Sequence, residues 1–160
     1  MQQAVDGLVG RRHLGVLLQR LLVRVHHQPG CGAGQVDPHV GPAGVDLLGL
    51  TALHASGSAV PRTGWVPRFV TVERAGTLVA AAPAYLKSHS YGEYVFDWAW
   101  ADAYQRHGLR YYPKAVIAVP FTPVPGARLL ARDAQARAAL LQAAQAHCEA
   151  EDLSSLHLLF

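Results

Sequence analysis

Apolar and polar positions along the chain change rhythm several times, and each change marks an element. Leu8 to Val25 carries Leu14, Leu17, Leu18, Leu21 and Leu22 at helical spacing, which predicts an amphipathic helix. His26 to Gly44 (HHQPGCGAGQVDPHVGPAG) has no period and is rich in Gly and Pro, so loop or disorder is expected there. From Val45 the pattern is regular. Val45 to Ser56 has helical spacing through Leu47, Leu50 and Leu53, and Gly57 is its stop. Pro67 to Glu73 alternates as a strand, Arg74-Ala75-Gly76 supplies turn chemistry, and Thr77 to Leu86 returns as a more apolar strand. Together these predict a β-hairpin, in which Pro83 marks an edge position, a bulge or the strand's end.

Beyond the hairpin, Phe96 to His107 reads as a helix stopped by Gly108. It carries Trp98/Asp102 and Trp100/Tyr104 as (i, i+4) pairs, with Asp97 near the positive end of its dipole. Lys114 to Pro120 is a continuous apolar run after its first residue, as expected of a buried central strand. Phe121 to Arg128 is a turn-rich loop. Asp133 begins a long helix to about Ala150, with Ala134, Ala138, Leu141, Ala144 and Cys148 along one face, and Leu153 to Phe160 starts another strand. The order helix, strand, strand, helix, strand, helix, strand predicts an α/β layered domain with helices against a mixed sheet. The closing LHLLF has no turn or polar tail, and an apolar edge of that kind predicts that the domain continues past Phe160. Residues 1–44 are expected to be atypical, either disordered or a mis-assigned start, and 45–160 to be a truncated domain.

Composition narrows the function classes. The 160 residues suffice for one domain with a core, and half of them are apolar. The net charge of +3 comes from scattered arginines with only two lysines, so no basic patch points to DNA or RNA. Cys31 and Cys148 stand far apart without metal-ligand or disulfide-framework spacing, which fits a reducing compartment. No apolar run reaches the roughly 18 residues of a membrane span. Arg11 and Arg12 before an apolar stretch resemble an export signal, but Gln19, Arg20 and Arg24 interrupt it, so a cytoplasmic location is expected.

Chemistry concentrates in Lys87 to Arg128. That stretch holds nine of the thirteen aromatic residues, both lysines, a Tyr91-Gly92-Glu93-Tyr94 run, and further acids at Asp97 and Asp102. Aromatic bodies with polar tips suit the wall of a cleft. Within it, YLKSHSYGEYVFDWAWADAYQRHGLRYYPK followed by IAVPFTPVPGARLL resembles the bacterial FemAB-like proteins, with similarity from about Ala52 to Phe160. These are distant relatives of the Fem peptidyltransferases of peptidoglycan synthesis, in the GNAT acyltransferase superfamily. The resemblance implies a GNAT-like fold, usually as two such domains in tandem, so a second half is expected after Phe160. It implies transfer of an acyl or aminoacyl group to a small amine or peptide acceptor, with acyl-CoA or aminoacyl-tRNA as donor substrate. A non-catalytic recognition module and an inactive fragment are the alternatives.

Acyl transfer to an amine needs a base for the ammonium proton, donors for the developing oxyanion, and a cradle for the activated donor. Glu93 is the candidate base, since aromatic neighbours desolvate a carboxylate and raise its pKa; Asp97 is the second choice. The competing readings place Glu93 in water and make Asp97 a helix cap. Tyr91, Tyr111 and Tyr112 are candidate proton donors or donor-binding hydroxyls, against plain packing. Lys114 either holds a phosphate or carboxylate or snorkels from a strand end. In GNAT domains the donor's pyrophosphate rests between a central strand and the next helix, which here is Thr122 to Arg128. Gly126 allows close backbone approach there and Arg128 pairs with phosphate. The usual donor-loop motif is absent, and the stretch PFTPVPGAR, from Pro120 to Arg128, contains three prolines that remove N–H groups, so a rigid turn is the competing reading. His89, Glu93 and Asp97 at four-residue steps do not make a metal site, because Gly92 argues against a helix between them. Trp98 and Trp100 lack the basic neighbours of a nucleic-acid platform, and no P-loop, dinucleotide fingerprint or nucleophile elbow occurs.

Overall fold

The computed structural model describes residues 21–26 and 47–159. In chain order its elements are β1 (Leu21–His26), α1 (Leu47–Ala55), a 3-10 turn at Pro61–Thr63, β2 (Trp65–Pro67), β3 (Phe69–Arg74), β4 (Thr77–Ala82) and β5 (Ala84–Lys87). There follow α2 (Trp98–Arg106), β6 (Lys114–Ile117), β7 (Leu130–Ala131), α3 (Ala134–Ala150) and β8 (Leu156–Leu158). They build two four-stranded sheets, in the orders β1-β3-β4-β7 and β2-β5-β6-β8. Every pairing is antiparallel except β6 with β8, which are parallel and are joined through α3. The expected α/β class is what these elements form, but in two sheets rather than one, and only the second is mixed.

The two sheets share one long hairpin. Its tip is a two-residue turn, Ala75-Gly76, with φ of 51° and 76°, the left-handed pair that matches the twist of flanking strands. Both arms then pass from one sheet to the other. On the outgoing arm the change falls at Arg68, between β2 and β3; on the return it falls at Pro83, between β4 and β5. Proline has no N–H to give a ladder, so Pro83 ends one strand and the next residue starts another. Arg68 N donates to Ala84 O at 2.8 Å and Ala118 N to Pro83 O at 3.2 Å, which ties the crossing together.

Helix α3 covers the first sheet. Asp133 caps it, its Oδ1 accepting from Ala136 N at 2.7 Å, while Arg74 Nη1 donates to Asp133 Oδ2 at 2.9 Å. Ala136, Leu140, Ala144 and Cys148, at four-residue steps, are its buried face. Ala144 and Cys148 lie on that face as expected, whereas Ala134 and Ala138 are exposed and Leu141 is half-buried. A helix so rich in alanine carries too weak an apolar stripe to set its own rotation; the sheet sets it. Val70, Val72, Val79 and Ile117 meet Leu140 to form the main core. Each such side chain contributes about 1.5–3 kcal/mol by leaving water. A smaller cluster of Ala59, Trp65 and Tyr85, with Leu53 and Phe69, lies beside it, Trp65 and Tyr85 meeting edge to face at 5.2 Å.

One element differs from expectation. Leu21 to Val25, read as the end of a helix, belongs to strand β1, paired antiparallel with β3 from Leu21↔Arg74 to His26↔Phe69. Val23 and Val25 flanking Arg24 suit a strand as well as a helix end, and the free edge of β3 decides between them. The remainder of that expected helix and the Gly/Pro-rich stretch through Gly44 lie outside the described residues. Among the described residues no helix is long and apolar enough to cross a membrane.

Candidate functional site

The working end of the molecule lies where β2, β5 and β6 run side by side. Trp65 pairs with Lys87, and Lys87 with Lys114, so the three form one row across the sheet. Both lysines are completely buried. Two carboxylates arrive from the segment that links β5 to α2, Glu93 and Asp97, each only 2% exposed. Lys114 Nζ stands 2.7 Å from Glu93 Oε2 and also contacts Asp97 Oδ2. Lys87 Nζ lies 4.0 Å from Glu93 Oε1, donates to Tyr91 O at 3.1 Å, and sits 3.7 Å over the Trp65 ring. Two cations therefore face two anions in a site closed to water.

Tyrosines and serines complete this shell. Tyr111, itself buried, donates from its hydroxyl to Asp97 Oδ2 at 2.7 Å and lies 3.4 Å from His157 Nε2 on β8. Tyr112 OH and Ser90 Oγ are hydrogen-bonded at 2.8 Å. Asp97 precedes α2, but its side chain makes no capping bond; it is turned inward to Lys114 and Tyr111. The cap reading of Asp97 is thereby replaced by an inward one, because an ammonium is a stronger partner for a carboxylate than a peptide N–H.

The two carboxylates share an environment and differ in acidity. Burial pushes Glu93 above the ordinary carboxylate range, and the neighbouring ammonium groups of Lys114 and Lys87 only partly offset it. Burial also acts to raise Asp97, but hydrogen bonds from Lys114, Ser90 and Tyr111 outweigh it and bring that group below its usual value. Glu93 Oε2 meets the Lys114 ammonium, whereas Glu93 Oε1 and Asp97 Oδ1 have no hydrogen-bond partner. Lys87 is lowered to about 8, chiefly by burial, with Glu93 opposing and Lys114 reinforcing the change.

A second loop touches the first. Gly92 has φ of 83°, and a Cβ there would lie 2.6 Å from the Phe121 ring and 3.3 Å from Trp65. Phe121 N donates to Gly92 O at 3.1 Å. The turn bearing Glu93 is thus pinned under the first residue of the Phe121–Arg128 loop, where donor contacts are expected. In that loop Thr122 Oγ1 donates to Pro120 O at 3.2 Å, Gly126 is half-buried, and Arg128 is buried. Arg128 Nη2 donates to Val124 O at 2.6 Å, its Nε is unpartnered, and burial lowers its pKa. The guanidinium is folded into its own loop rather than held out toward solvent.

Of the residues singled out in the sequence, Glu93, Asp97 and Lys114 meet directly, and Tyr112 joins through Ser90. Tyr91 contributes its carbonyl; its ring is 74% exposed. Lys114 does not snorkel: it is completely buried, with the Glu93 and Asp97 carboxylates as its partners. Lys87 and Trp65 carry no assigned role in the sequence reading, because a role for Lys87 shows only once β5 and β6 are in register. The visible signal is that the chain's two lysines bracket the segment that bears both acids. On the outer side of that segment Tyr94, Phe96, Trp98 and Trp100 are exposed, Phe96 and Trp98 in edge-to-face contact at 5.7 Å. An open hollow of about 470 Å³ lies elsewhere, between Ala55 and Arg62, and is lined by none of the four charged residues. Among the described residues no three metal-ligating side chains gather to hold an ion.

Residues 45–160 match a protein family, FemAB-like, described as peptidoglycan biosynthesis/recognition. No curated protein matches the chain, and no solved structure does.

Proposed function

The chain belongs to the FemAB-like family, of peptidoglycan biosynthesis or recognition, and we propose that within that role it supports transfer of an acyl or aminoacyl group to an amine. One observation carries the reading. Glu93 is a buried carboxylate with a raised pKa, one oxygen facing an ammonium and the other without any hydrogen bond. A base for an ammonium substrate needs that combination: enough basicity to take a proton near neutrality, and a free lone pair to take it with. The acceptor ammonium gives one proton to Glu93, the freed amine attacks the donor's carbonyl carbon, and the donor's carbon–sulfur or carbon–oxygen bond breaks as its thiol or hydroxyl leaves with the second nitrogen proton. Asp97, held low by Lys114 and Tyr111, stays ionised throughout. The Tyr111 hydroxyl is committed to Asp97, so the Tyr112 hydroxyl is the nearby tyrosine group able to donate to a developing oxyanion or to the leaving group.

In the resting arrangement Glu93 is sealed. The acceptor reaches it only when Phe121 lifts from Gly92, so the two loops move together in this reading. For the donor, Thr122, Gly126 and Arg128 form the loop nearest that opening. Its two prolines, Pro123 and Pro125, with Pro120 just before them, leave few N–H groups, which favours a donor bound along a broad surface, such as aminoacyl-tRNA, over one cradled by pyrophosphate alone. Arg128 must unfold from Val124 O before it can meet a phosphate.

A second reading, a recognition module without turnover, is favoured by the exposed aromatic face of Tyr91, Tyr94, Phe96, Trp98 and Trp100. Exposed rings of that density bind better than they pack. Thermal denaturation separates the two. A rise in melting temperature with a coenzyme A thioester or an aminoacyl-tRNA supports transfer. A rise only with an amine-bearing peptide, with no product formed, supports the module and rejects the enzyme.

A further inference from the structure

We propose that Lys87 is a positioning residue for Glu93, one that folds the 91–93 turn back against the sheet and supplies the second positive charge that keeps the buried carboxylate ionised. The inference rests on the reading of Glu93 as the proton acceptor and adds the group on which its readiness depends.

Three contacts carry it. Lys87 ends β5, and the turn bearing Glu93 starts at the next residue. By donating to Tyr91 O at 3.1 Å, four residues on, its ammonium draws that turn over the strand it has just left. It also lies 4.0 Å from Glu93 Oε1, the oxygen that Lys114 does not serve. The Trp65 face, 3.7 Å away, closes the remaining side and favours a cation there. The side chain is completely buried, so the charge has no water to turn to.

Charge balance shows why one lysine is not enough. Lys114 touches both Glu93 and Asp97, and a single cation against two buried carboxylates leaves one negative charge uncompensated. A buried site relieves such an excess by taking up a proton. Asp97 is held low by Lys114, Ser90 and Tyr111, so Glu93 is the group that would take it. Without Lys87 the carboxylate becomes a carboxylic acid, which accepts nothing from an amine. The charged and titratable groups that act on Lys87 or feel it are Glu93, Lys114 and His89, with Asp97 one step further through Lys114. Lys87 itself gives up its proton near pH 8, well below an ordinary lysine, so the pair can be followed in unmodified protein.

The test is nuclear magnetic resonance of the full chain labelled at glutamate Cδ and lysine Cε. The sequence has four glutamates and two lysines, so each resonance is assignable, Glu93 by its loss in Glu93→Gln and Lys87 by its loss in Lys87→Met. In Lys87→Met the Glu93 midpoint is expected to rise by about one pH unit or more. In wild-type protein the Glu93 signal is expected to shift a second time, with the midpoint at which Lys87 titrates. A Glu93 midpoint unmoved in folded Lys87→Met overturns the proposal. So does a wild-type Glu93 signal that stays flat while Lys87 loses its proton, and that measurement stands even where the variant fails to fold. No acyl donor or acceptor is present, so a negative transfer assay leaves this result untouched, and a flat titration leaves the transfer assay untouched.

Discussion

Lys87 and Lys114 stand directly opposite each other on antiparallel β5 and β6, both without solvent exposure. Like charges in that relationship destabilise a sheet, and burial adds a further penalty. The pair persists because Glu93 and Asp97 are brought over it from the next segment, turning a repulsive pair into a four-membered cluster with no net charge. Strand register thereby assembles the site: the sheet places the two cations and the 88–97 segment has to follow.

Lys114 is the hub of that cluster, and removing it leaves two buried carboxylates with one distant cation. Lys114→Met is expected to lose about 3–5 kcal/mol of unfolding free energy, the usual effect of breaking one side of a buried ion pair. Urea denaturation at neutral pH measures it. A loss below about 1 kcal/mol, the scale of a surface ion pair, would contradict the buried-cluster description.

The contact between the two loops is testable at Gly92. Gly92→Ala places a Cβ in the left-handed region and against the Phe121 ring, and is expected to destabilise by about 1 kcal/mol or more. Adding Phe121→Ala removes the clash but not the strain, so the double variant should be less damaged than the two single losses added together. Strict additivity in this cycle would mean that the loops do not touch.

Lys87 makes stability depend on pH in a defined direction. Its pKa is about 8 in the folded chain against 10.5 for the ordinary group, so between those values the unfolded chain holds more protons. Its contribution to stability therefore rises with pH across that window. Compared with Lys87→Met, wild-type protein should gain in urea midpoint from pH 8 to pH 10. A flat difference would place Lys87 in an ordinary environment, and a falling one would mean that folding raises its pKa.

Asp133 tests the far side of the fold. It caps α3 and pairs with Arg74 at the hairpin end, and Asp133→Ala is expected to cost about 1 kcal/mol, most of it from the lost cap. Chemical denaturation of the variant checks this. Since α3 packs on the other sheet, the Glu93 titration should not move, which makes this variant the control for those near the site.

Much of this architecture was legible in the sequence because local signals agreed with the final fold. Gly57, Ala75-Gly76 and Gly108 punctuate where left-handed backbone is required, and Pro83 marks the point at which one strand becomes two. The acids were legible as well: Glu93 and Asp97 stand out between aromatics, and both turn inward. What was not legible depends on tertiary pairing. The rotation of α3 comes from the sheet beneath it, since its many alanines give only a weak stripe. Leu21–His26 becomes a strand because β3 offers an edge. Lys87 lies near Tyr91 and Glu93 in sequence, but its place beside the Lys114 ammonium, twenty-seven residues away, is a relationship that no local window contains.

If Glu93 takes the proton of an acceptor amine, transfer depends on its carboxylate. Single-turnover transfer of a labelled acyl group, from a coenzyme A thioester or an aminoacyl-tRNA to an amine-bearing peptide, tests it in wild-type protein and in Glu93→Gln. Transfer by the wild type is expected, with a rate lower by about 10²–10⁴-fold in the variant and folding retained. Equal rates in the two proteins would contradict it.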